Sequence, residues 1–401
     1  MLKTKLKNGL TIIIDKRKSK SVVIEVCVKV GSVNEPRHLA GISHFIEHML
    51  FEGTRKYRDS KEISNEIEKL GGELNAVTSN ERTCFYVKVP KKHFDVALNI
   101  ITEIVRYPLF DEKKIEKEKK VVSNEVNLIT DDPKYHQFIV FQKNLFQKHP
   151  ARNPVYGSKK TIKNIKREDA IKYYNKFYRP NNMVLVVCGD VKNVLKKISE
   201  KFSDFEKGKL PKIEKIVEPK QKKKIVKERR KIMQSYLVFG YKTVPRSHKD
   251  SYVFDVIRAI LGRGQSGVLF DEIRSKRGLA YDVGVIHQAD IDFGYIAAYL
   301  STQKKNLKVV EELVYNEFKK LKHIDDKMLK EAKTFLEGEY DLAEEDNLKH
   351  ADNLAFMEFC KDAEELKRYH ENIRKITKND VRRVVKRYFT DDYVMVIIEQ
   401  K

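Results

Sequence analysis

In the stretch His44-Phe-Ile-Glu47-His48, two imidazoles stand four residues apart with a carboxylate between them. On a helix, residues i and i+4 lie one above the other on the same side, so both rings can reach one ion. Two neutral imidazoles are half of a tetrahedral zinc set, and a Glu beside them is placed to take a proton from water. The order is H-x-x-E-H, the inverse of the H-E-x-x-H zinc signature. The chemistry offered is metal-assisted hydrolysis, with His44 and His48 as ligands and Glu47 as general base. The plainer alternative is a surface helix with two solvated histidines.

The rings converge only if the segment is a helix pinned by its neighbours. Ile42, Phe45, Ile46, Met49 and Leu50 fall at i, i+3, i+4, i+7 and i+8, which predicts a helix from about residue 39 to 53 with one buried stripe. His44 lies about 200° round from Ile42, off that stripe. Asn8-Gly9 sits between two alternating segments and predicts a hairpin. Ala97, Ile100, Ile101, Ile104 and Val105 predict an amphipathic helix over 93–107, stopped by Pro108.

A pattern is written twice along the chain. Ile165-Lys-Arg-Glu-Asp169 leads through Tyr173, Tyr174, Phe177 and Tyr178 to Met183-Val-Leu-Val-Val187. At an offset of 211, Ile376-Thr-Lys-Asn-Asp380 leads through Val384, Val385, Tyr388 and Phe389 to Val394-Met-Val-Ile-Ile398. Segments 84–90 and 294–300 pair in the same way, each followed by a helix, as do helices around 116–127 and 328–342. One period near 210 in 401 residues is a duplication. The run 207–231 carries 12 Lys/Arg, 3 Glu, Pro211 and Pro219 and marks the junction. The expected organisation is a first domain over 1–206, a basic linker over 207–228 and a homologous second domain over 229–401. Strands such as 22–30 and 83–89 lack simple βαβ spacing. The expected class is therefore α+β: two homologous α/β-mixed domains, each a mainly antiparallel sheet with helices packed on one face.

Composition narrows the function classes. No apolar run reaches the roughly 18 residues of a spanning helix, and the N-terminus lacks an apolar signal core, so no membrane association is expected and the cytoplasm is the expected compartment. Cys27, Cys84, Cys188 and Cys360 lie far apart, match no paired zinc-thiolate spacing, and are expected to need no disulfide in a chain of this length. The net charge of +23 raises nucleic acid as a partner, but no helix-turn-helix or RNA-binding signature is present, so none is expected.

With these motifs the sequence resembles the pitrilysin and mitochondrial processing peptidase family of zinc metallopeptidases. In that family the third zinc ligand is a Glu separated from the second His by 76 residues, and here that position is Glu125. A family Glu seven residues earlier corresponds to Glu118, two helical turns away on one face, where it would orient a ligating His. Gly71-Gly-Glu-Leu-Asn75-Ala76-Val-Thr78 resembles the family's strand beside the zinc, which implies Asn75 and Ala76 as substrate-binding residues. Arg274 and Tyr281, within Gly264–Tyr281, resemble the family's Arg/Tyr pair that holds the substrate backbone and the oxyanion. The second copy carries no H-x-x-E-H and is expected to be non-catalytic. The resemblance implies a zinc endopeptidase with one Zn2+ per chain, acting on short or unfolded peptides inside a dimeric chamber. Arg274 and Tyr281 would act there on the other subunit's zinc. A homodimer is the simpler expectation, a heterodimer with an inactive homologue the other. A peptide-binding scaffold with little activity of its own is the alternative function.

Overall fold

The structure, a computed structural model, describes residues 1–212 and 216–401. Two compact units are present. The first comprises 1–128, 153–215 and 343–366, and the second 129–152, 216–342 and 367–401. The expected basic linker, 207–228, includes 213–215, which lie outside the described residues, and its last residues already enter a strand.

The first unit is built on a sheet of β1 (Leu2–Lys5), β2 (Thr11–Asp15), β3 (Ser21–Val28), β4 (Glu73–Thr78), β5 (Thr83–Pro90) and β6 (Met183–Cys188), in the order β1-β2-β6-β3-β5-β4. β2 and β6 run parallel, and every other pair is antiparallel. The Asn8-Gly9 hairpin joins β1 to β2, and Gly9 takes φ +94, which a side chain would resist. In β3, Val22, Ile24, Val26 and Val28 alternate into one core with Phe85, Val87 and Val89 of β5. The helices Ile42–Phe51 and Phe94–Arg106 bury their stripes in that core, as the periodicity requires. The opposite face of the sheet carries one further helix, Asn347–Cys360, which packs on β3 and β6.

The second unit repeats this plan with β7 (Lys224–Arg230), β8 (Ser235–Lys242), β9 (Ala280–Ala289), β10 (Gly294–Thr302) and β11 (Val394–Gln400), in the order β7-β11-β8-β10-β9. β7 and β11 are the parallel pair. The helix Pro133–Leu145 packs on β8 and β11. The duplicated helices are Arg167–Phe177 and Lys378–Tyr388, each followed by a buried strand, β6 and β11.

The cysteine expectation is corrected here. Cys27 and Cys84 are register partners on the antiparallel strands β3 and β5, and a disulfide joins them. Their separation of 57 residues hides a cross-strand contact that pairing register alone creates. Cys188 and Cys360 lie outside this disulfide. Among the described residues no helix is long and apolar enough to cross a membrane.

Candidate metal centre

The helix Ile42–Phe51 fixes the two histidines. Ile42, Phe45, Ile46, Met49 and Leu50 are all buried, each contributing about 1.5–3 kcal/mol, so the helix cannot roll about its axis without exposing its stripe. Its start is held by a residue that capping rules miss. Gly41 occupies the N-cap position without a side chain, and Glu35 supplies the missing acceptor: its carboxylate accepts the N–H groups of Gly41 at 2.6 Å and Ser43 at 2.8 Å. Burial outweighs these bonds and pushes the Glu35 carboxyl up to about 7.

Glu118 and Glu125 both lie on the helix Glu112–Asp131. Glu125 Oε2 stands 3.8 Å from His44 Nε2 and 3.4 Å from His48 Nε2. These distances exceed the usual range of an N–H···O hydrogen bond. They approach the edges, about 3.3–3.4 Å, of a tetrahedron with metal–ligand bonds of about 2.0–2.1 Å. One ligand atom of each of the three residues lies within 4.8 Å of the others. Glu118 Oε2 sits 3.2 Å from His48 Nδ1. With the proton on Nδ1, Nε2 presents its lone pair toward Glu125.

The electrostatics suit a cation. Burial, then the neighbouring His48, lowers the His44 pKa to about 4, so this imidazole is neutral near pH 7 and can donate its lone pair. Burial also acts to lower His48, but the Glu118 hydrogen bond and the charges of Glu125, Glu47 and Glu118 outweigh it and raise its pKa. Burial acts to raise Glu118, and the His48 and Lys117 contacts outweigh it, leaving a charged carboxylate. Three carboxyl groups, those of Glu47, Glu118 and Glu125, thus converge on two imidazoles. Two nitrogens and one carboxylate oxygen form the donor set of a catalytic zinc, with a fourth position open.

Glu47 lies on the same helix, half-buried, and its pKa is raised chiefly by the loss of solvent around its carboxyl. The Thr78 hydroxyl, at the end of β4, donates to its Oε2. Asn75 and Ala76 lie just before Thr78 on β4, the outer strand of the sheet, and Asn75 Oδ1 accepts the Ala76 N–H at 2.8 Å. In the second unit, Arg274 donates to the Tyr281 carbonyl at 2.9 Å, its guanidinium lies 4.4 Å from the Tyr281 ring centre, and that ring is largely exposed. Sequence reasoning named His44, Glu47, His48, Asn75, Ala76, Glu118, Glu125, Arg274 and Tyr281; it missed Glu35 and Lys117 and assigned no task to Thr78.

Known proteins resemble this chain over nearly its whole length. Residues 10–159 match the family described as Insulinase (Peptidase family M16), and residues 164–336 match the Peptidase M16 inactive domain. The chain is 28% identical over 397 residues to a Bacillus subtilis protein named zinc protease YmxG, covering 98% of this chain and 96% of that one. It is 31% identical over 347 residues to a zinc protease of Rickettsia bellii, covering 85% and 83%. A protease from Helicobacter pylori shares the fold, with a TM-score of 0.93 at 24% identity over 99% of both chains. The chain therefore belongs to the M16, or pitrilysin, family of zinc metallopeptidases.

Proposed function

We propose that the chain is a zinc-dependent endopeptidase that hydrolyses peptide bonds of short or unfolded peptides, with one zinc held by His44, His48 and Glu125. The observation that carries this reading is the convergence of Glu125, from a separate helix, on two Nε2 atoms at 3.4 Å and 3.8 Å, with Glu47 half-buried on the histidine helix. Zinc, when bound, supplies Lewis acidity that makes water more acidic and polarises a carbonyl.

The remaining tasks fall to side chains of the protein. Glu47 accepts a proton from the attacking water and returns it to the leaving amine. The Thr78 hydroxyl keeps that carboxylate aimed. Glu118 fixes the tautomer and tilt of His48. An extended substrate adds to the outer edge of β4 at Asn75 and Ala76 through main-chain hydrogen bonds, which admits many sequences. Arg274 and Tyr281 hold the substrate backbone and the developing oxyanion. They do so on a peptide bound at the zinc of a second subunit, a copy of this chain in a homodimer or, failing that, an inactive homologue.

The test is Glu47→Gln. The ligands remain, so zinc content stays that of the wild type, while cleavage of a quenched peptide falls by about a hundredfold or more. Cleavage at the wild-type rate would remove Glu47 from the mechanism. A wild type that holds zinc and binds peptide yet cleaves none would be the scaffold.

A further inference from the structure

The face of the first sheet opposite the helix Ile42–Phe51 carries a polar cluster with no part in the proposed hydrolysis. Val22, Ile24, Val26 and Val28 point into the helical core, so Glu25 and Cys27 point the other way. On β5, Phe85, Val87 and Val89 fill the same core, and Cys84 points with Cys27. The helix Asn347–Cys360 covers this face and brings Asp352. One side-chain ligand atom each of Glu25, Cys27, Cys84 and Asp352 lies within 4.8 Å of the others.

The neighbours of the Cys27–Cys84 disulfide are unusual for a structural tie. Glu25 is 2% exposed, and its Oε2 has no hydrogen-bond partner. Burial, then the charge of Asp352 and a hydrogen bond with it, pushes its carboxyl well above the ordinary range against the pull of Arg82, which favours the protonated form. Arg82 Nη1 donates to Cys84 Sγ at 3.6 Å. Its two guanidinium nitrogens also donate to Asp352 at 2.5 Å and 2.9 Å. A disulfide that only ties two strands gains nothing from a buried protonated carboxyl, whose desolvation is costly. A disulfide that opens needs a proton for one leaving sulfur and a positive charge for the other.

We propose that Cys27–Cys84 is a redox-active disulfide, opened and closed by thiol–disulfide exchange with a dithiol, with Glu25 as proton donor to Cys27 and Arg82 as charge partner of the Cys84 thiolate. Cys84 is 4% exposed and Cys27 is fully buried, so attack falls on Cys84. One thiol of the reductant loses its proton to water, and the thiolate bonds to Cys84 Sγ. The S–S bond breaks, and Cys27 leaves as a thiolate that takes the Glu25 proton. The second thiol gives its proton to the Glu25 carboxylate and attacks the sulfur of the reductant that is bonded to Cys84. Cys84 is released as a thiolate beside Arg82, and the reductant departs as a disulfide. Two electrons enter the protein, Glu25 ends protonated as it began, and one proton stays in water. The Arg82–Asp352 pair lies over the reacting sulfur, with Asp352 at the more exposed rim.

The test is reduction of the folded, chelator-treated protein by dithiothreitol, read by counting thiols after an acid quench. The protein prepared without reductant should yield two thiols, Cys188 and Cys360, and four after reduction without loss of its circular dichroism. Glu25→Gln should slow native reduction by about a hundredfold. Arg82→Gln should slow it by about tenfold, because the Cys84 thiolate loses its charge partner. A disulfide that yields only when the chain unfolds would overturn the proposal. So would wild-type rates in both variants. Four thiols with two zinc ions per chain before chelation would overturn it in favour of a second metal site.

Discussion

Replacing Glu35 by Gln tests how the histidine helix is anchored. The Glu35 carboxylate is buried and accepts the N–H groups of Gly41 and Ser43. Its pKa is about 7 in the folded chain against an ordinary 4.5. Between those values the folded chain holds a proton that the unfolded chain has already released. Stability from this group is therefore fully present below about pH 4.5 and is lost as pH rises through about 7. The distance from 4.5 to about 7, at about 1.4 kcal/mol per pH unit, is about 3 kcal/mol, of which about 2.5 kcal/mol falls between pH 5 and pH 8. Gln cannot titrate, and the other ionisable groups are shared by both proteins, so they cancel in the difference.

The assay is amide hydrogen exchange of peptides covering 42–51, in excess chelator so that zinc contributes nothing. After correction for intrinsic exchange, the protection of the wild type relative to Glu35→Gln should fall by about seventyfold from pH 5 to pH 8. A difference that is flat, or that grows with pH, would mean that the two backbone bonds outweigh burial and that the charged form is the favoured anchor.

Glu118→Ala should weaken zinc binding by about 10–100-fold in a competitive chelator titration, and Glu118→Gln by less, because an amide oxygen can still accept from His48 Nδ1. Mixing inactive Glu47→Gln with inactive Arg274→Ala chains should restore part of the peptidase activity; mixed dimers that form yet stay silent would refute action across subunits. Asp255→Ala should destabilise the second unit by about 3–5 kcal/mol in denaturant melts. Asp255 is buried and holds Arg246 at 2.7 Å and 3.2 Å and His287 at 2.7 Å, so Arg246 would lose its counter-charge and His287 its hydrogen-bond partner.

The parts legible in the sequence were those written as periods. The stripe from Ile42 to Leu50 gave the helix and the side on which His44 and His48 stand. The 211-residue offset gave matched elements, because Arg167–Phe177 and Lys378–Tyr388 each bury a stripe ahead of a buried strand. What stayed hidden depends on register and docking, which leave no local mark. Cys27 meets Cys84 only because β3 and β5 pair in one register out of several. The helix Asn347–Cys360 is amphipathic like many others, and nothing within it says that it will cover β3 and β6. Glu35 escaped because a capping signature is sought at the N-cap itself. The signal available was the opposite one: Gly41 at that position leaves orphan N–H groups that some distant acceptor must satisfy.

The duplicated plan explains how one copy can carry a candidate metal centre where, among the described residues, the other carries ion pairs. The orders β2-β6-β3-β5-β4 and β7-β11-β8-β10-β9 match strand for strand, each with its parallel pair at the same place. In both copies a helix follows the central strand, Ile42–Phe51 after β3 and Asp250–Gly262 after β8. The fold asks of that helix only a buried stripe, and Val253, Phe254, Val256, Ile257 and Ile260 meet the demand as well as Ile42 to Leu50 do. The positions off the stripe are left open to chemistry. In the first copy they hold His44, Glu47 and His48; in the second, Asp255 and Arg258 are engaged by Arg246, His287 and Glu339. An ion pair stabilises one conformation, whereas imidazoles and carboxylates left without full partners demand a cation. The two helices solve the same packing problem and differ in the polar residues that they carry beside the apolar stripe. The proposed hydrolysis therefore belongs to side chains that the scaffold tolerates without needing.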